Sequence, residues 1–144
     1  KDLYNAAIKL SFEQWGAEGA EAYLNNDTYA QSNYADPFNQ GSVAAVSTIT
    51  IKWKDGNDEE NLERLISQKW IALWPLGQEA WSEYRRTGYP RFFVNGNGSN
   101  LPVANRIPFP PSEYIRNADN VKEAVQKLGA DNYETKVWWQ RKDK

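Results

Sequence analysis

The sequence contains no cysteine, no histidine and no methionine. Without cysteine there are no disulfides, no thiolate zinc sites and no thiol nucleophile. Without histidine the side chain that most often moves protons near neutral pH is missing. The lack of cysteine is silent about redox compartment. A chain without methionine carries no initiator and reads as a processed product or a portion of a longer one, with its N-terminal address expected outside it. No apolar run approaches the ~18 residues needed to span a bilayer. A basic excess is also absent: 17 Lys and Arg stand against 19 Asp and Glu, for a net charge of −2. Nucleic-acid modules draw most of their affinity from phosphate neutralisation, so nucleic acid is not an expected partner.

What the sequence does have is rings. Seven Trp, eight Tyr and five Phe are many for 144 residues, enough to supply a core, an interface or a surface on which sugars stack. The length suits one domain or part of one.

The pattern predicts a mainly α, irregular helical domain with long loops and at most a short β segment. Residues 3–25 read as a helical hairpin: LYNAAIKLSFEQWG places Tyr4, Ala7, Ile8, Ser11, Phe12 and Trp15 at helical spacing before Gly16, and EGAEAYLN follows. Residues 26–58 form a long polar connection, in which VSTITIKW (46–53) alternates like a strand. Residues 59–87 carry the strongest period, with Leu62, Leu65, Ile66, Trp70, Leu73, Trp74, Trp81 and Tyr84 on one stripe and Glu63 and Arg64 largely off it. Asp58 suits the N-cap, and Pro75 predicts a break at 74–77, because its ring clashes with the preceding turn and it has no N–H to donate. Trp15, Trp70, Trp74 and Trp81 are expected in the core. Residues 88–116 read as a Pro-rich loop in which NGNGSN turns and Pro102, Pro108, Pro110 and Pro111 prevent regular structure. A short helix follows at 120–128, and a tail at 129–144 ends beyond the pair Trp138 and Trp139.

Arg85 and Arg86 close the periodic run ahead of Thr-Gly-Tyr-Pro. Cations there favour the negative end of a helix, Gly88 supplies a left-handed stop and Pro90 prevents a restart, so no anionic ligand is required. Glu79 and Glu83, at i and i+4, share a helix face and together with Glu113 form the only argument for a glycoside hydrolase; nothing local would raise either pKa, and no enzyme is expected. DGND (55–58) with Glu59 and Glu60 lacks the alternating ligand spacing of an EF-hand and reads as a capping turn. No metal or cofactor is expected, with a loop calcium site left open. Flat rings among amides suit sugars, and Trp53, Tyr29, Tyr34, Asn33 and Asn39 are the candidate carbohydrate-binding residues, against an ordinary polar loop with a few anchoring rings.

Three stretches together carry a resemblance: LISQKWIALWPLGQEAWSEYRRTGYP (65–90), NRIPFPPSEYIRN (105–117) and NYETKVWW (132–139), with SFEQWG (11–16) and AEAYL (20–24) in agreement. Their order and spacing resemble the C-terminal region of SusD/RagB-like proteins, cell-surface glycan-binding lipoproteins of Bacteroidetes. The resemblance implies an α-helical fold with tetratricopeptide-like repeats in the N-terminal part of the whole protein. It also implies an outer-membrane location through an N-terminal lipid anchor that is not in this chain. Non-catalytic delivery of an oligosaccharide or polysaccharide to a SusC-like TonB-dependent transporter would be the role. Trp70, Trp81, Arg85, Arg86, Gly88, Tyr89, Pro90, Arg106, Pro108, Glu113, Trp138 and Trp139 match the family pattern and read as scaffold, with the Pro-rich loop and the Trp pair expected against the kinked helix. Asn105 departs from it, standing where relatives often carry a second basic residue. A helical protein-interaction module remains the alternative.

Overall fold

The first amphipathic run forms α1 (Asp2–Gln14), which Trp15 caps before Gly16 turns left-handed at φ 63°. Helix α2 (Ala20–Leu24) folds back so that Leu24 meets Tyr4 and Ile8, with Phe12, Tyr23 and Trp53 packed around them. The computed structural model describes residues 1–38, 41–93 and 104–140, divided into two units, Lys1–Gly98 and Ser99–Lys144. After α2 the first unit contains an antiparallel ladder of β1 (Tyr34–Ala35) and β2 (Ser42–Val43), then α3 (Asp58–Ala72) and α4 (Gly77–Thr87); the second contains α5 (Pro111–Arg116) and α6 (Ala118–Leu128). The fold is mainly helical, as expected.

VSTITIKW is not a strand; the short ladder lies upstream of it. Its alternation is real, but side chains of α3 bond to this segment and to Lys54 just after it. Asn61 donates to the Lys54 carbonyl at 2.6 Å and Arg64 Nε to the Thr50 carbonyl at 3.0 Å, while the Ser47 hydroxyl donates to Glu63 at 2.5 Å.

Burial along α3 therefore does not follow its apolar period alone. Asn61, Glu63, Arg64 and Ile66 are buried, with Glu63 at 3% and Arg64 at 2% exposure. Leu65, Trp70 and Ile71 are exposed. An irregular connection carries backbone groups that need partners, and a polar helix face provides them where an aliphatic one would not. The N-cap is Asn57 in place of Asp58: its side chain accepts from the Glu60 N–H at 3.1 Å, leaving Asp58 in the first turn beside Glu59 and Glu60.

The proline break occurs as anticipated. Helix α3 ends at Ala72, Leu73 caps it, a cis Trp74–Pro75 bond follows, and α4 begins at Gly77. Of the four tryptophans expected in the core, Trp15, Trp70 and Trp74 are exposed, Trp74 at 75%, and Trp81 is half-buried against Tyr84. The first half of α3 is buried, and Trp70 in its last turn and Trp74 beyond its end are left in the open.

Arg85 and Arg86 occupy the last turn of α4 as expected, and Gly88 closes it at φ 77°. Arg86 pairs locally with Glu83 at 2.7 Å on the surface. The chain then doubles back: Tyr89 is buried, its hydroxyl donates to Glu59 at 2.6 Å, and Phe92 lies 4.8 Å from Tyr84 and 5.7 Å from Trp70.

In the second unit, Pro111 opens a helix in the segment read as irregular. Pro110 is the extended residue before it, and a proline in the first turn has no N–H to lose. Helix α6 starts two residues earlier than the pattern suggests and ends at Gly129 (φ 95°). Asp131 ties this unit together. It accepts from Arg106, from the Phe109 N–H at 3.1 Å and from the Tyr114 hydroxyl at 2.5 Å. Asn105 uses both ends of its amide, donating to the Glu134 carbonyl and accepting from Gln140, each at 2.8 Å. A neutral amide thus supplies the contacts at this position. Trp138 is exposed and Trp139 partly buried. NGNGSN lies outside the described residues.

Candidate functional site

A cavity of about 410 Å³ opens between the long connection and α3 in the first unit. Its walls come from Tyr29 and Gln31, from the Ser47–Ile51 stretch, from α3 between Glu63 and Ile71, and from Pro90 to Phe93. Its size falls within the range of small-molecule sites, about 300–1,000 Å³.

The frame is tightly bonded. Gln31 accepts from the Val46 and Ser47 N–H groups at 2.7 and 2.9 Å and donates to the Arg91 carbonyl at 2.9 Å. Glu63, which holds Ser47, also faces Arg91 Nε at 3.3 Å. The Tyr89 hydrogen bond and the Glu63 charge raise the Arg91 pKa above its already high value, so it remains a cation. Tyr4 donates to the Ile51 carbonyl at 2.7 Å, and burial pushes its pKa up to about 12, so this donor keeps its proton at all ordinary pH. These bonds fix the walls and leave the rings to face outward.

Tyr29 stands at the rim with 69% of its surface exposed. The Asn26 side chain presents it, accepting from the Thr28 and Tyr29 N–H groups at 3.0 and 2.7 Å. Tyr34 is exposed on β1, its ring 6.0 Å from Phe93, which lines the cavity. Asn33 accepts from the Ala45 N–H at 2.9 Å and is engaged in holding the loop. Trp53 lies 5.3 Å from Tyr4, donates to Asp55 at 3.1 Å and packs on the core cluster rather than lining the cavity. Asn39 lies outside the described residues. The structure thus connects Tyr29 and Tyr34 through Phe93 and sets Trp53 apart.

Sequence reasoning missed Trp70, Gln68 and Arg91 as cavity-lining groups. The period of α3 points Trp70 inward, on the same side as the buried Glu63 one heptad earlier; its place in the last turn, beyond the buried stretch, leaves it 42% exposed. Gln68, whose Oε1 accepts from the Tyr23 hydroxyl at 3.0 Å, carried no local signal.

A second cavity, of about 570 Å³, lies between α3 and α4 and is lined by Trp70, Trp74, Trp81, Tyr84 and Phe92 among other apolar groups. The carboxylate pair on α4 has a different surrounding. Lys69 Nζ lies 3.1 Å from Glu83 and 3.9 Å from Glu79. Burial works to raise Glu83, but hydrogen bonds from Arg86 and Lys69 outweigh it and hold the pKa below the usual carboxylate range. That is the reverse of what a proton-donating glycosidase acid requires. Glu113 accepts from Asn117 at 3.1 Å. Among the described residues, no cluster of three or more acidic, Cys or His side chains has metal-binding geometry, and no helix is long and apolar enough to cross a membrane.

A family model described as SusD-like, "Susd and RagB outer membrane lipoprotein", matches residues 1–140. The chain belongs to the SusD-like family. Several solved SusD structures superpose on it. A homologue from Bacteroides uniformis is 46% identical, with a TM-score of 0.84 over 98% of this chain and 31% of its own. Another from Bacteroides thetaiotaomicron is 42% identical, with a TM-score of 0.83 over 99% of this chain and 33% of its own. A chitin-binding SusD homologue from Flavobacterium johnsoniae is 40% identical, with a TM-score of 0.79 over 98% of this chain and 31% of its own. The SusD-like chain therefore spans about a third of the length of the structures it matches. No curated protein matches it. Membership places it among outer-membrane lipoproteins.

Proposed function

We propose that the chain belongs to a non-catalytic glycan-binding protein of the cell surface, which holds an oligosaccharide or polysaccharide for uptake through a SusC-like TonB-dependent transporter. The observation that carries this reading is the group of exposed rings, Tyr29, Tyr34, Phe93 and Trp70, around a frame whose polar groups are engaged with one another. Aromatic faces present negative charge to the weakly positive C–H groups of a sugar, and water-exposed rings are costly unless something covers them. Family membership and the chitin-binding relative support the same class.

Calorimetric titration with soluble oligosaccharides tests it. We expect heat of binding from at least one glycan and no release of new reducing ends on prolonged incubation. Cleavage would turn the reading to a hydrolase; silence across a broad glycan panel would remove it. Co-purification with a TonB-dependent transporter tests the partnership.

A second reading, a protein-interaction module, is favoured by one observation. The α3–α4 cavity is almost wholly apolar, with Trp74 75% exposed beside it. Such a lining suits a protein side chain better than a hydroxyl-rich sugar.

A further inference from the structure

The cavity between the long connection and α3 differs from the α3–α4 cavity in one respect that bears on ligand class. Both are rich in rings, but only the first adds serine, threonine and glutamine side chains to them. Trp70 and Phe93 are exposed to 42% and 37%, and Tyr29 to 69%. Between them lie Ser67 and Gln68 of α3. Tyr23 occupies the Gln68 carbonyl oxygen, so the amide NH2 is the end left to donate.

The charges around the cavity are internally compensated. Glu63 faces Arg91 at 3.3 Å, and Arg64 faces Glu60 at 3.2 Å. Arg64 is 2% exposed and has its donors on Thr50, Asn61 and Glu60. Gln31 is also engaged, with both ends of its amide on the backbone. A carboxylated or sulfated ligand would enter a site whose cations are already matched by carboxylates, and it would lose its hydration without gaining a new ion pair. A neutral ring with apolar faces and equatorial hydroxyls meets no such penalty.

We infer that this cavity is a subsite for one neutral pyranose unit of a glycan, with Tyr29 and Trp70 as stacking surfaces and Gln68 as hydrogen-bond donor. The inference rests on the glycan-binding reading and adds its location and charge class. Phe93 extends the apolar rim toward Tyr34, 6.0 Å away, along the path a longer glycan would follow.

The test uses the whole chain and a panel of cellohexaose, maltohexaose and chitohexaose as neutral probes, with oligogalacturonate as the acidic one. Calorimetry measures affinity, and tryptophan fluorescence reports on Trp70. We expect a neutral probe to bind and to shift the emission, and Trp70→Phe to abolish the shift. Tyr29→Ala and Gln68→Ala should each weaken binding about tenfold or more, with helicity unchanged by circular dichroism. Trp15→Ala, remote from the cavity lining, should bind like the parent. If a neutral glycan binds equally well to parent, Tyr29→Ala and Gln68→Ala, the subsite is overturned while the glycan reading stands. Tighter binding of oligogalacturonate overturns the charge class. Failure of every probe removes the functional reading and the subsite together.

Discussion

Arg64 Nε donates to the Thr50 carbonyl at 3.0 Å, across fourteen positions of sequence, and so ties the long connection to α3. The guanidinium is almost completely buried and also reaches Asn61 and Glu60. A methionine at this position would preserve most of the bulk and none of the donors. Arg64→Met should orphan the Thr50 carbonyl and leave the Asn61 oxygen with the Lys54 N–H alone, at roughly 1–3 kcal/mol for the buried group left without a partner. Urea denaturation should show a lowered midpoint. An unchanged midpoint would mean that water replaces the guanidinium without loss.

The tryptophans should separate by packing rather than by sequence motif. Trp53 leans on Tyr4 and the α1–α2 cluster, whereas Trp74 is mostly in solvent. Trp53→Ala should cost about 3 kcal/mol, the lower end for truncating a packed aromatic. Trp74→Ala should stay within about 0.5 kcal/mol, as surface changes do. Thermal melts of the two variants, measured side by side, check the ordering; the reverse order would refute the packing described for both.

Helix α3 depends on Asn57 at its start. Asn57→Ala removes the acceptor for the Glu60 N–H and should destabilise by about 0.5–2 kcal/mol, while Asn57→Asp should be close to neutral. Asp58→Ala, aimed at the residue the sequence favoured as cap, should be the milder change. Comparing the three melts distinguishes a true cap from a general charge effect.

The second unit should be acid-sensitive through Asp131. Burial works to raise its pKa, but hydrogen bonds from Tyr114, Arg106 and the Phe109 N–H prevail and hold it below the ordinary aspartate range. A depressed folded-state pKa means that the unfolded chain takes up the proton more readily. The stabilisation is therefore complete above the unfolded value of about 3.9 and disappears as pH falls through the lower folded value. Melting temperature should drop between pH 5 and pH 3 by roughly that linkage, and Asp131→Asn should be less stable at neutral pH with a flatter acid limb. A variant with an equally steep limb would assign the acid transition to other carboxylates.

Gly88 closes α4 at φ 77°, a conformation that costs an L-residue about 1–2 kcal/mol. Gly88→Ala should lower stability by that order and loosen Phe92 from Tyr84 and Trp70. Near-ultraviolet circular dichroism should report the loss of ring packing. A normal aromatic signal in Gly88→Ala would separate the turn from the aromatic stack it leads into.

Much of the local architecture was legible in the residues. Gly16 and Gly88 stop helices because left-handed backbone is inexpensive only for glycine, and Pro75 breaks one because it has no N–H. Arg85 and Arg86 stand in the last turn of a helix, as the Gly-Tyr-Pro exit implied. The differences are of two kinds, local starts of helices and what lies against what. Pro111 starts a helix because nothing in its first turn needs its N–H. The β-like alternation of 46–53 paired with side chains rather than a strand.

The sequence by itself determined that the chain is mainly helical, where the helices other than α5 begin and end to within a few residues, and through its Trp, Arg and Pro motifs the family to which it belongs. Such features are set within one or two turns of chain, by backbone stereochemistry and by periods that any neighbour would respect. Only the tertiary structure decided that α3 buries Asn61, Glu63 and Arg64 in its first half and leaves Trp70 exposed in its last turn, because the unpaired backbone of the long connection found hydrogen bonds on those first polar side chains. That arrangement, made by residues far apart in sequence, placed Tyr29, Gln68 and Trp70 around one cavity.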